Sequence, residues 1–173
     1  KGHVDSIFNY GLLLFYEKNN FNEGLNYIKT AASFGYPEAM YRYGVIKLRG
    51  RNTIQNINEG LLYINNSANL GCINAMNYLA DLLYVGEFVE MNRPLSALWY
   101  KKLADLGVVD AMYQIGCMFH NGDGCQVDMN LAAFYLSKAT RNGNSKAMFA
   151  YAMMYYRGEG MQVDRKKAAE FVK

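Results

Sequence analysis

Few residues in this chain could do chemistry. His3 and His120 are its two histidines, and Cys72, Cys117 and Cys125 its three cysteines. These are the side chains able to attack an electrophile, carry a proton near neutral pH or ligate a transition metal. No nucleophile, base and orienting acid fall at a recognisable spacing, and an odd cysteine count without paired spacing fits neither a zinc site nor a disulfide scaffold. Gly122-Asp123-Gly124 and Gly158-Glu159-Gly160 raise a phosphate loop, but neither follows a strand, and both lack a trailing glycine or Lys-Ser/Thr. The oxygen-rich run 121–130 raises calcium, yet it lacks the D-x-D-x-D-G order and closing Glu of an EF-hand. These residues point to a non-enzymatic protein with no cofactor and no metal.

The elements that hold these residues must come from a chain of 173 residues, 51% hydrophobic, with a formal charge of +3. That is enough apolar material for a core without disulfides or a structural metal. With 15 Tyr, 9 Phe and 10 Met against 2 Pro, the composition favours helices packed through aromatic and flexible side chains. No apolar stretch approaches the roughly 20 residues needed to cross a bilayer, and Lys1-Gly2-His3-Val4-Asp5 has no signal-peptide form. With its unpaired thiols, the chain is expected to be cytoplasmic and not inserted in a membrane. The ER lumen or secretion is the alternative if a signal peptide lies upstream.

Organisation is set by a repeat. Gly35, Gly71, Gly107 and Gly143 recur every 36 residues; so do Gly50, Gly86, Gly122 and Gly158, the pairs beginning at Ala39, Ala75, Ala111 and Ala147, and the series Asn20, Asn56, Asn92, Asp128, Asp164. The first copy is three residues short, which places a loop between residues 16 and 20, since loops and not packed helices tolerate deletion. Each unit resolves into two helices. The second is capped by the Asn/Asp column and ends at a left-handed glycine, with Pro94 in a first turn; the first opens just after that glycine, as at Pro37. One solenoid domain over 1–173 is expected, with repeats 2–35, 36–71, 72–107, 108–143 and a truncated 144–173, because such hairpins bury their apolar faces only by stacking. The columns Ala39/Ala75/Ala111/Ala147 and Ala32/Ala68/Ala104 mark close helix approaches. Tyr27/Tyr63/Trp99/Tyr135/Phe171 are expected to fill gaps between neighbouring hairpins.

The fifth copy, Ala147 to Asp164 followed by Lys167-Ala168-Ala169, resembles the Sel-1-like repeat (SLR), whose pattern is A-x-x-x-L-G-x-x-Y-x-x-G-x-G-V-x-x-D-x-x-K-A. The fourth is similar at Ala111, Ile115-Gly116, Phe119, Gly122-Asp123-Gly124, Asp128 and Ala132. Copies two and three carry Asn52 and Phe88 where the second loop glycine belongs. The resemblance implies an all-α fold, a right-handed α/α superhelical solenoid of helix-turn-helix repeats, TPR-like. It also implies a protein–protein interaction scaffold or adaptor. The disulfide-rich bacterial subgroup is no guide, because the paired cysteine positions hold other residues here.

At 100° per residue from Ala39, positions 40, 43, 47 and 50 face the partner helix, and 41, 45 and 48 fall near 180° to 240°, on the opposite side. In the resembling family that side lines a concave groove. Its occupants are Phe8, Leu12 and Phe15; Tyr41, Val45 and Leu48; Asn77, Asp81 and Tyr84; Tyr113, Cys117 and His120; and Phe149, Met153 and Tyr156. A solvent-facing stripe this aromatic marks a partner site. The expected partner is another protein or a peptide segment, with Phe8, Tyr41, Tyr113 and Phe149 as a ladder and Asn77 and Asp81 as polar contacts; the rest of a longer chain is a further candidate. The competing outcome is that curvature tucks these residues against the next helix. A helical-repeat RNA reader is the alternative function, disfavoured because the equivalent columns are not basic, so no nucleic acid is expected.

Overall fold

Each turn of the chain is built on a residue that accepts a left-handed backbone. In the computed structural model, which describes residues 2–171, Gly35, Gly71, Gly107 and Gly143 have φ of 79°, 90°, 92° and 83°, and each closes a helix. Gly50, Gly86, Gly122 and Gly158 close the others, with φ between 65° and 81°. The described residues form ten helices and no strand: α1 (Gly2–Tyr16), α2 (Phe21–Ser33), α3 (Pro37–Arg49), α4 (Ile57–Asn69), α5 (Ile73–Val85), α6 (Arg93–Asp105), α7 (Val109–Asn121), α8 (Met129–Arg141), α9 (Ser145–Arg157) and α10 (Arg165–Glu170). The short first copy has its loop at residues 17–20.

The Asn/Asp column starts the second helix of every pair. Asn56, Asn92, Asp128 and Asp164 accept hydrogen bonds from backbone N–H groups of the first turn, at 2.9–3.0 Å. Asn20 departs from this: its side chain makes no cap and instead donates to Glu23 at 2.5 Å.

The chain forms two compact units, Lys1–Leu79 and Ala80–Lys173, whose boundary lies within α5. In the first, α1 packs on α2, α2 on α3, and α3 on α4. Its core gathers Phe8, Phe15, Ile28, Ala31, Ala32, Ala39, Tyr43 and Ile46. The paired helices cross at glycines: a Cβ on Gly24 would lie 2.8 Å from the Gly11 carbonyl oxygen, and one on Gly60 2.8 Å from that of Gly44. In the second unit α6 packs on α7, α7 on α8, α8 on α9 and α9 on α10. There the crossing within the α5–α6 pair is made by Ser96, whose hydroxyl donates to the Ala80 carbonyl at 2.8 Å.

The alanine columns at 39/75/111/147 and 32/68/104 are buried as expected. Four rings of the aromatic column pair inside their own hairpins, a correction to the expected filling between hairpins, while the Tyr135 hydroxyl also donates to Asp105 of the preceding hairpin at 3.2 Å. Tyr27 meets Tyr10 and Tyr63 meets Tyr43 edge-on, while Tyr135 stacks on Phe119 and Phe171 on Tyr155. Ring centroids 4.8–6.0 Å apart lie within the range of favourable aromatic pairs.

Candidate functional site

The face of the first helices opposite their partners holds the fifteen residues singled out from sequence, and the structure divides them by burial. Phe8, Phe15 and Leu48 are corrections: they are 4%, 1% and 0% exposed and offer no surface to a ligand. Phe8 meets Tyr36 of the next hairpin edge-on, centroids 5.3 Å apart, and Phe15 lies among Tyr16, Phe21 and the backbone beside Gly24. Leu48 sits where α3 crosses α4, its amide nitrogen 2.7 Å from where a Gly60 Cβ would stand. A crossing this close wraps the partner helix past the half-turn that a helical wheel assigns to it. The four-rung ladder therefore lacks its first rung.

The rest of the first unit's face is half-buried Leu12, Tyr41, Val45 and Asn77. Tyr41 packs edge-on against Tyr78 at 5.9 Å, and the Arg42 and Arg49 guanidiniums lie over the Tyr41 and Tyr78 rings at 5.5 and 5.6 Å. Arg49 also donates to the Tyr78 hydroxyl at 2.7 Å. Burial pushes the Tyr41 hydroxyl above the usual tyrosine range, against the pull of Arg42. The projection overlooked Tyr78 and Arg49, although the 41-to-78 and 49-to-78 contacts join successive first helices.

In the second unit Asp81 is exposed, but its carboxylate accepts from the buried Tyr100 hydroxyl, which burial and that hydrogen bond push up. Tyr84 is half-buried; its hydroxyl donates to Asp123 at 2.6 Å while Arg93 lies 5.2 Å over its ring and reaches the same carboxylate at 2.5 Å. The Tyr84 hydroxyl and Arg93 hold the Asp123 carboxyl below its ordinary range. The Gly122-Asp123-Gly124 turn is thus a packed link between hairpins, its acidic side chain committed.

Tyr113, Cys117, His120 and Met153 are half-buried, whereas Phe149 and Tyr156 are 60% and 49% exposed. Four of these, Cys117, His120, Phe149 and Met153, line one cavity of about 330 Å³ together with Asn121, Leu136, Ala150, Arg157 and Glu159. α7 supplies the thiol and imidazole, α9 the stripe Phe149, Ala150, Met153 and Arg157, and the following turn Glu159. His120 Nδ1 lies 2.8 Å from Asn121 Oδ1 and Nε2 2.8 Å from Glu159 Oε2. Asn121 first and Glu159 next raise the imidazole pKa above its usual value, against burial and Arg157. The five lining residues that sequence reasoning missed are those off the wheel's outer face. Glu159 had a signal in its glycine-loop column, and Arg157 in its i+4 spacing from Met153.

Cys117 and His120 are one turn apart on α7, yet the arrangement does not activate a nucleophile. Burial pushes the Cys117 thiol up, away from thiolate, and both imidazole nitrogens are occupied by Asn121 and Glu159. The cavity can hold an apolar group beside a charged rim. Among the described residues, no group of three His, Cys, Asp or Glu is placed to hold a metal ion, and no helix is long and apolar enough to cross a membrane.

Family comparison agrees with this geometry. The Sel1 repeat model matches residues 73–108, 109–144 and 145–173, and a model of plant tetratrico peptide repeats matches residues 1–81. No curated protein matches the chain. Among solved structures, a Sel1 repeat protein from Oxalobacter formigenes is similar at a TM-score of 0.80 and 24% identity, covering 97% of this chain and 70% of that one. The protective antigen c5321 of uropathogenic Escherichia coli, which displays an SLR fold, is similar at 0.87 and 23%; the match covers 98% of this chain but only 37% of the antigen. Cysteine rich protein B of Helicobacter pylori is similar at 0.54 and 24%, over 69% and 91%.

Proposed function

Because the chain belongs to the Sel1 repeat family, whose members are generally protein–protein interaction scaffolds, we propose that it is a non-enzymatic adaptor and that the outward face of its first helices receives a partner protein or peptide. One observation carries this reading: Phe149 and Tyr156 stand exposed beside half-buried Tyr113 and Met153, on a helix face where solvent would favour polar residues. Large rings with few rotatable bonds give contact area at low entropic cost, which suits interface anchors. The first unit contributes the Tyr41–Tyr78 pair with its two arginines, an amphipathic patch of the same kind.

A photo-cross-linking residue at position 149, compared with one at Phe134, an exposed ring on α8, tests the reading in the source cell. Protein adducts at 149 and not at 134 are expected. Phe149→Ala should abolish those interactions while shifting Tm by no more than about 2 °C, whereas buried Phe15→Ala should cost about 3–5 kcal/mol of stability. Equal adducts at 149 and 134 would defeat the proposal.

A further inference from the structure

The cavity between α7 and α9 has an apolar floor and an exposed cation towards each end of α9, and that combination restricts what fits it. At about 330 Å³ it lies at the lower end of the roughly 300–1,000 Å³ spanned by ligand pockets, so it suits one large side chain. Leu136, Phe149, Ala150 and Met153 are its apolar lining, and a methionine wall adapts to either a ring or an aliphatic chain.

Charge is arranged around that floor along α9. Lys146, Ala150, Met153 and Arg157 fall at i, i+4, i+7 and i+11, one stripe about 16 Å long with a cation at each end. Lys146 is exposed and makes no ion pair among the described residues. The Arg157 side chain is 55% accessible, and its guanidinium meets Glu159 only at 3.7 Å. Glu159 is the single carboxylate lining the cavity, and the His120 imidazole already engages it at 2.8 Å. Both ends of the stripe therefore favour negative charge in whatever lies along it.

We propose that this cavity seats one large apolar side chain of an acidic segment in the partner, with carboxylates on either side of the anchor meeting Lys146 and Arg157. The inference rests on the adaptor reading and narrows it to a ligand chemistry. A basic segment would set its cations against two like charges. A nucleic acid would match the cations, but a base seated among Leu136, Ala150 and Met153 would leave its polar edges without hydrogen-bond partners.

The test is selection of a randomised dodecapeptide library, displayed on phage, against the whole chain at low salt. Enriched sequences are expected to carry Leu, Met or Phe between Asp or Glu residues. A synthetic consensus peptide should bind at least tenfold more weakly to Ala150→Phe, which fills the cavity, and to the surface variant Lys146→Glu/Arg157→Glu, which leaves packing intact. It should also shield Cys117, and not Cys125, from N-ethylmaleimide. Basic or absent consensus, undiminished binding to both variants, or displacement by an equal concentration of a uridine 12-mer would overturn the proposal. Peptides that ignore both variants but lose affinity for Tyr113→Ala would overturn it while leaving the adaptor reading in place.

Discussion

The Tyr84 hydroxyl donates a 2.6 Å hydrogen bond to the carboxylate of Asp123, 39 residues further on, and at the same offset His120 meets Glu159 at 2.8 Å. The link recurs because the partners occupy equivalent places: the last turn of one first helix and the glycine turn after the next. It ties successive hairpins together through an acidic loop residue. A hydrogen bond to a charged acceptor is worth about 1.5–3 kcal/mol before the cost of ordering, so a double-mutant cycle of Tyr84→Phe and Asp123→Asn should show a coupling of about 1 kcal/mol in urea denaturation. Strictly additive losses would show that the link is geometric only.

The second copy of the link is sensitive to pH. Asn121 and Glu159 raise the folded-state pKa of His120 above its unfolded value near about 6.5, so the extra stabilisation is complete below about pH 6 and fades as pH rises through the folded pKa. The stability difference between wild type and His120→Gln should therefore grow as pH falls from about 8 to about 6. Partial solvent access keeps it to about 1 kcal/mol at most. Chemical denaturation at several pH values measures it, and a difference that shrinks on acidification would contradict the assignment.

Two glycines separate backbone conformation from packing. Gly143 has φ of 83° with nothing within 4 Å of an added Cβ, so Gly143→Ala should cost only the left-handed penalty, about 1 kcal/mol. Gly124 has φ of 78°, and its Cβ would collide with the Arg93 carbonyl and lie 2.8 Å from the Pro94 nitrogen. Gly124→Ala should cost about 3 kcal/mol, the penalty plus a clash between backbones. Equal losses in the two variants would mean that the turn after α7 is not pressed against the start of α6.

The same loop column shows how far local rules reach. Asn52 and Phe88 replace the glycine, yet keep left-handed φ of 54° and 62°. Their position was legible in the 36-residue register, but the conformation that they retain was not, because it runs against the preference of a bulky side chain.

What the amino-acid order determines by itself is the element list: ten helix positions, the Asn/Asp starts of the second helices, the glycine turns and the small residues where helices meet. Those are local matters of capping, backbone freedom and period, and each leaves its mark within a few residues. Which part of a first helix stays in contact with water was decided only by tertiary packing. Phe8 and Phe149 share one place in the repeat, yet one is 4% and the other 60% exposed, and Leu48 disappears into a crossing that a helical wheel assigns to solvent. The α7–α9 cavity and the 39-residue link belong to the same class. They depend on how closely neighbouring hairpins approach, and that distance is set by side-chain volumes on two helices at once.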